Sequence, residues 1–380
     1  TESVYVFSSH LEQPGGLMDT QTGWLHQGAY FTKSLPAVWS SDSPIEVQGE
    51  GKWVRLYPAD GTEHAGEKQT VTDAFGVQRE AVVYPSALGD GADYICIPTA
   101  YGLNTEILLS KAGESTAFSV KVQTANLVPD TGSPDYILLK TALENGNVNT
   151  ILYTPLAVDK NGSWSYGSRV QLTDKDSETG TYTVQYTPDA AFLQDAAYPV
   201  RLNQSIYLYK SKQPDTSAYS DTGDEAGHYL SPYMLLGDST PKGEGWTFVR
   251  FETLNALDID PQRIVSARYT VHNLFDLPKE AVVGAYAVTA DWCSINTRWF
   301  NRPPFDKTPV SQVKIQAKGD YTLDVTSLLK EMLKNKPYEN AAYSVQNSFF
   351  IRCDSAGDSL LLASGDNGLF SPFLEIVLKE

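Results

Sequence analysis

Cysteine is scarce in this chain: 3 residues, Cys96, Cys293 and Cys353, among 380. An odd number without CxxC spacing supplies neither a disulfide framework nor a thiolate metal site. Cys293 and Cys353 fall in the same half and could pair; the other reading is two buried, small apolar side chains. Histidine is nearly as rare. His10, His26, His64, His228 and His272 stand in unrelated contexts, none with the His-Glu-x-x-His spacing of a metal hydrolase. His272 alternates with Thr270 on a strand-like run and reads as a packed or edge residue. No Gly-x-Ser-x-Gly elbow offers a nucleophile. A glycosidase pair of carboxylates leaves no sequence pattern, so a glycan-active hydrolase stays open as the weakest alternative to a non-enzymatic chain.

Long apolar runs are also missing: no stretch of about 18 residues could span a membrane as a helix. The opening Thr1-Glu2-Ser3-Val4 has neither a charged nor an apolar leader region, so any signal peptide is read as removed or never present. Basic charge is short as well. Against 29 Lys and Arg stand 46 Asp and Glu, for a formal net charge of -17. The summed field repels polyanions, which argues against nucleic acid and anionic membrane surfaces and leaves neutral glycans and cations as partners.

What the chain has in quantity is aromatic residues and turn formers: 22 Tyr, 7 Trp, 28 Gly and 21 Pro. From residue 1 to about 200 the text is strand-like. Lys52-Trp53-Val54-Arg55-Leu56-Tyr57 reads as a strand bounded by turn residues, and Thr116 to Gln123 and Tyr182 to Tyr186 alternate in polarity, one face buried and one wet. Asp159-Lys160-Asn161-Gly162 is a tight hairpin turn, because Asn-Gly tolerates the positive φ angles required. Pro188 to Leu193 reads as one helical turn. The length argues for more than one core, and the boundary is placed near 200, giving domains 1–200 and 201–380. The expected fold is all-β: two antiparallel β-sandwich or jelly-roll domains, with three as the alternative, and one short amphipathic helix in the second half. Val325, Leu328, Leu329 and Met332 set that helix, Asp324 caps it and Pro337 stops it.

The richest stretch for binding runs from Asp291 to Pro304. Trp292, Arg298, Trp299, Asn301 and Arg302 follow a strand-like run, and Pro303-Pro304 keeps a central strand from continuing. Flat rings suit sugar faces, while Arg and Asn donors reach hydroxyls and carboxylates. The competing reading is a plug over the end of a sandwich. Between Lys210 and His228, Asp215, Asp221 and Asp224 could cradle a Ca²⁺ ion, although their spacing matches no Ca²⁺ loop; no other cofactor is expected.

The order Leu235-Leu236-Gly237, Phe248-Val249-Arg250-Phe251, Thr297-Arg298-Trp299-Phe300-Asn301-Arg302-Pro303 and Leu323-Asp324-Val325-Thr326 resembles the DNRLRE family of secreted bacterial modules. Gly102 to Leu109 and Tyr198-Pro199-Val200-Arg201-Leu202 resemble the segment preceding such modules in Rhs-like and wall-associated proteins of Gram-positive bacteria. The sequence departs from the pattern where Arg298 precedes Trp299 and Phe300 replaces an Asn. The resemblance implies a jelly-roll, carbohydrate-binding-module-like domain in a secreted or cell-surface bacterial protein, with further domains of a larger chain. The expected function is therefore a non-catalytic module binding carbohydrate or cell-wall glycan, or anchoring a larger protein. The alternative is a purely structural stalk or spacer.

Overall fold

The computed structural model describes residues 2–7, 15–28, 31–49, 51–99, 102–113, 117–125, 127–131, 136–141, 148–176, 178–208, 215–219, 231–240, 243–251, 254, 258–290, 292, 297–334, 348–355, 358–365, 367 and 370–379. The fold is an all-β sandwich fold built from antiparallel sheets, as the alternation predicts. Two compact units divide the chain: Glu12–Ser211, and Thr1–Leu11 together with Lys212–Glu380.

In the unit Glu12–Ser211, one sheet runs through the strands Arg169–Asp176, Thr181–Thr187, Phe118–Thr124, Lys52–Pro58, Ile45–Gly49, Thr32–Pro36, Gly23–Gln27 and Met18–Asp19. A second is centred on Ala92–Pro98, Gly102–Leu109 and Val200–Leu208. Their inner faces share one core. Val47, Val54, Leu56, Val120 and Val184 come from the first sheet, and Val82, Tyr94, Cys96, Ile107 and Leu202 from the second. Trp39, fully buried, stacks on Tyr94 at 5.1 Å and donates its Nε1 hydrogen to the Leu56 carbonyl at 2.8 Å. Cys96 lies in this core, where burial pushes its thiol far above its ordinary range.

The Asn161-Gly162 turn joins Leu156–Val158 to Trp164–Ser165, with Gly162 at φ +83°. Asp159 Oδ1 accepts from the amides of Asn161 and Ser163 at 2.9 and 2.8 Å and fixes the turn. The helical turn expected near 190 is the helix Ala190–Asp195, whose first amides are capped by Asp189.

The other unit begins with the first strand of the chain. Glu2–Phe7 pairs antiparallel with Phe373–Leu378, which in turn pairs with Ile264–Asn273. Ile264–Asn273 also carries Gly319–Asp324 on an edge and meets Ser359–Ala363 at one pair, Asn273 with Leu362. The path then continues through Tyr233–Thr240, Gly243–Arg250, Ser348–Cys353, Ala281–Ala287 and Ser311–Ile315. Both stretches contribute to one core, with Tyr269, Val271, Leu374 and Ile376 from the first and Val249, Phe349, Ile351, Val283 and Leu360 from the second.

The predicted helix is Thr326–Lys334. It buries Leu328, Leu329, Met332 and Leu333 in the same core, so its apolar stripe is the reason it stays helical. Asp324 Oδ1 accepts from the Thr326 amide at 2.9 Å and the Thr326 hydroxyl at 2.6 Å. The same hydroxyl accepts from the Ala267 amide at 2.8 Å, which ties the helix start to the strand Ile264–Asn273.

Candidate functional site

Strand periodicity builds the site. In the neighbouring strands Gly243–Arg250, Ser348–Cys353 and Ala281–Ala287, residues Val249, Phe349, Ile351, Val283 and Ala285 point into the core. Their neighbours therefore point out, and the outward set is Trp246, Phe248, Phe350 and Tyr286. Four large rings on an outer sheet face would leave a wide apolar patch in water. The chain following Ala281–Ala287 returns across them and removes that cost.

Trp292, Trp299 and Phe305 supply the cover. Trp246 stacks on Phe350 at 5.2 Å and Phe350 on Tyr286 at 5.0 Å, while Trp292 packs on Phe248 at 5.6 Å. Phe305 and Trp299 meet Trp246 edge-on at 5.0 and 5.1 Å. The returning chain is fastened at its base, where the Thr289 amide donates to the Pro304 carbonyl at 2.9 Å and the Asp306 amide to the Ala287 carbonyl at 3.0 Å.

Arginines interleave with the rings. The Arg302 guanidinium lies 3.9 Å from the Trp299 ring centre and 4.7 Å from that of Trp246. Arg352 lies 4.6 Å from Tyr286 and 5.3 Å from Trp246. Planar, weakly hydrated guanidinium is suited to such stacking, where an ammonium would not lie flat. Burial holds the Arg302 guanidinium below its ordinary pKa, against the opposing pull of Glu244. Glu244 Oε1 also accepts from Trp246 Nε1 at 2.8 Å. Asp354 gathers the far end, accepting from the Tyr286 hydroxyl at 2.6 Å, Arg352 Nε at 2.9 Å and Gln312 Nε2 at 2.8 Å.

The residues singled out in the sequence are brought together here, in unequal roles. Trp292 is buried, 6% exposed, and its Nε1 donates to Ser348 Oγ at 3.0 Å. Trp299, Arg298 and Arg302 are half-buried and Asn301 is exposed. Asn301 Oδ1 accepts from the Arg298 amide at 2.6 Å, Arg298 donates to the Thr297 carbonyl at 3.1 Å, and Arg302 donates to the Trp299 carbonyl. Phe300, between them, is 66% exposed. Sequence reasoning passed over Phe300, and it passed over Tyr286, Phe350 and Arg352. For Tyr286, Phe350 and Arg352 the only signal was alternation on strands far apart in the chain.

For the cation reading, Asp215 opens the strand Asp215–Tyr219, whereas Asp221 and Asp224 lie outside the described residues. Cys293 also lies outside them. Among the described residues, no group of three or more His, Cys, Asp or Glu is placed to hold a metal ion. No helix among them is long and apolar enough to cross a membrane.

No family model matches the chain, and no curated protein matches it. Among solved structures it aligns with an exo-β-1,3-galactanase from Phanerochaete chrysosporium bound to galactose, at 9% identity over 95% of each chain and a TM-score of 0.18. A substituted form of that enzyme with β-1,3-galactotriose aligns at 9% identity over 99% of this chain and 100% of the other, with a TM-score of 0.14. Likenesses this weak carry no conclusion about fold or function.

Proposed function

We propose that the protein is a non-catalytic extracellular module, secreted or held at a bacterial cell surface, that binds carbohydrate or cell-wall glycan through the tip formed by residues 298–302. The observation that carries this reading is Phe300. A ring that is 66% exposed sits on a loop fastened at its base, beside the half-buried Trp299. An aromatic face held ready in this way loses little entropy on meeting a sugar ring. The resemblance of this stretch to DNRLRE modules points the same way.

A glycan microarray probed with the wild-type protein and with Phe300→Ala tests the proposal. Retention of particular glycans by the wild type, weakened about tenfold or more in the variant, is the expected result. Retention that the substitution leaves untouched would overturn the loop as the contact, and release of free sugar would overturn the non-catalytic reading.

A second reading, a structural spacer, is favoured by a specific observation. Trp292 is buried and the polar groups of Arg298, Asn301 and Arg302 are engaged within the loop itself. Absence of retention on every glycan, with the protein folded, would select it.

A further inference from the structure

The unit Glu12–Ser211 carries an open pocket of about 390 Å³ on the outer face of its eight-stranded sheet. Its floor is a row of directly paired residues, Ser34 opposite Glu46 and Glu46 opposite Arg55, with Tyr57 two positions further along the same strand. Val54 and Leu56, between the outward residues, are fully buried, so the strand beneath the floor is packed on the core. One wall is the turn carrying Thr20 and Thr22, and the other is Ser41, Asp42 and Ser43. The first wall stands close to the floor because Gly23, at φ +151°, has no Cβ; one built there would lie 2.2 Å from the Leu35 carbonyl oxygen.

The lining has a definite chemistry. Among the lining residues Thr20, Thr22, Ser34, Ser41 and Ser43 carry aliphatic hydroxyls, groups that both donate and accept. The one cation, Arg55, is bonded to the Glu46 carboxylate, which raises its pKa, and its guanidinium stacks 4.1 Å from the Trp53 ring centre. Tyr57 donates to Gln123 Oε1 at 2.9 Å, which fixes the edge of its ring. With Arg55 balanced by Glu46, the exposed Asp42 leaves the pocket with an excess negative charge, on a chain of net charge -17. Anions are therefore disfavoured. The volume falls within the roughly 300–1,000 Å³ of small-ligand sites.

We infer that this pocket is a binding site for a neutral saccharide, which lies against Tyr57 and exchanges hydroxyl hydrogen bonds with Ser34, Thr22 and Ser43. The inference does not depend on the loop around Phe300, because the two sets of residues belong to different units.

The test is calorimetric titration with neutral tetrasaccharides of glucose, xylose, mannose and galactose, and with oligogalacturonate as the acidic comparison. It uses the Phe300→Ala protein, so that loss of the loop contact and loss of the pocket are read separately. Binding of a neutral tetrasaccharide, weakened about tenfold by Tyr57→Ala and by pocket-filling Ser34→Trp, is the expected result. Circular dichroism and melting of each variant establish that it is folded, and Tyr57→Leu, which keeps apolar bulk but removes the flat ring, serves where Tyr57→Ala does not fold. Absence of neutral-sugar binding, preference for oligogalacturonate, or binding indifferent to both Ser34→Trp and the folded Tyr57 variant would each overturn the inference.

Discussion

The Arg302 guanidinium stands 3.9 Å from the centre of the Trp299 ring, closer than any other cation to an aromatic ring among the described residues of this unit. Trp299 and Trp246 meet edge-on, and Arg302 contacts both. The guanidinium is thus a spacer between two rings, and its flatness matters as much as its charge. Arg302→Lys keeps the charge and loses the plane. We expect it to cost about 1 kcal/mol of unfolding free energy in urea, which equal stability of the two proteins would refute.

Trp292 and Trp299 answer differently to removal. Trp292 is buried against Phe248 with its Nε1 hydrogen bonded to Ser348, so Trp292→Ala opens a cavity and leaves Ser348 Oγ without that partner. A loss of roughly 3–5 kcal/mol is expected in urea unfolding. Trp299 is half-buried at the rim, and Trp299→Ala should cost clearly less. Equal losses would mean that the loop is one undivided plug.

Part of this was legible in the sequence. Alternation from Thr116 to Gln123 and from Tyr182 to Tyr186 marked two strands, which the structure pairs with each other over Phe118–Gln123, and the spacing of Val325, Leu328, Leu329 and Met332 marked the helix. These are local signals, set by period and caps. The destination of the first strand was not legible, since Val4 pairs with Ile376 through contacts distant in sequence. The loop shows the same division. Its aromatic and basic character is plain in the text, but the burial of Trp292 depends on Phe248 and Ser348, residues on separate strands. The pocket floored by Ser34, Glu46 and Arg55 was hidden for that reason too, although the strand bearing Trp53, Arg55 and Tyr57 was recognised.

The start of the helix supplies a pH prediction. The Thr326 hydroxyl and amide both bond Asp324 and hold its carboxyl below the ordinary carboxylate range. A carboxyl depressed by folding contributes stability in full above its unfolded pKa of about 3.9, and that contribution is lost as pH falls through the lower folded value. Asp324→Ala should therefore be about 1 kcal/mol less stable than wild type at neutral pH. The gap should close in melts carried to pH values below the folded pKa. A gap independent of pH would show that Asp324 acts through packing and not through its charge.

Glu106 makes the opposite kind of test. It is fully buried; its carboxylate accepts from Arg201 at 2.6 Å, from Asn203 at 3.0 Å and from the Ala74 amide at 2.8 Å. Burial nonetheless pushes its carboxyl above the ordinary range, so ionising it in the folded state carries a cost that Arg201 offsets in part. Glu106→Ala leaves Arg201 without this partner, and a loss of roughly 3–5 kcal/mol is expected. Glu106→Gln keeps the one oxygen, Oε1, that accepts from both Asn203 and Ala74 and loses only the acceptor facing Arg201, so it should lose less. The two variants losing equally would locate the contribution in the ion pair alone.

Gly237 and Gly319 share a left-handed backbone but not an environment, and the pair separates strain from collision. Their φ angles are +134° and +139°. A Cβ on Gly319 would meet nothing within 4 Å, whereas one on Gly237 would lie 2.1 Å from the Asp358 carbonyl oxygen and 2.8 Å from Ser359 Cα. The obstacle at Gly237 is backbone of the strand paired with it, since Gly237 sits opposite Ser359, and cannot swing aside as a side chain would. Gly319→Ala should cost the roughly 1–3 kcal/mol of an unfavourable backbone conformation. Gly237→Ala should cost that and the separation of Tyr233–Thr240 from Ser359–Ala363, seen as a lower urea midpoint and faster amide exchange at Leu235 and Leu361. Similar losses at the two sites would mean that the strands part easily and that the glycine serves only its φ angle.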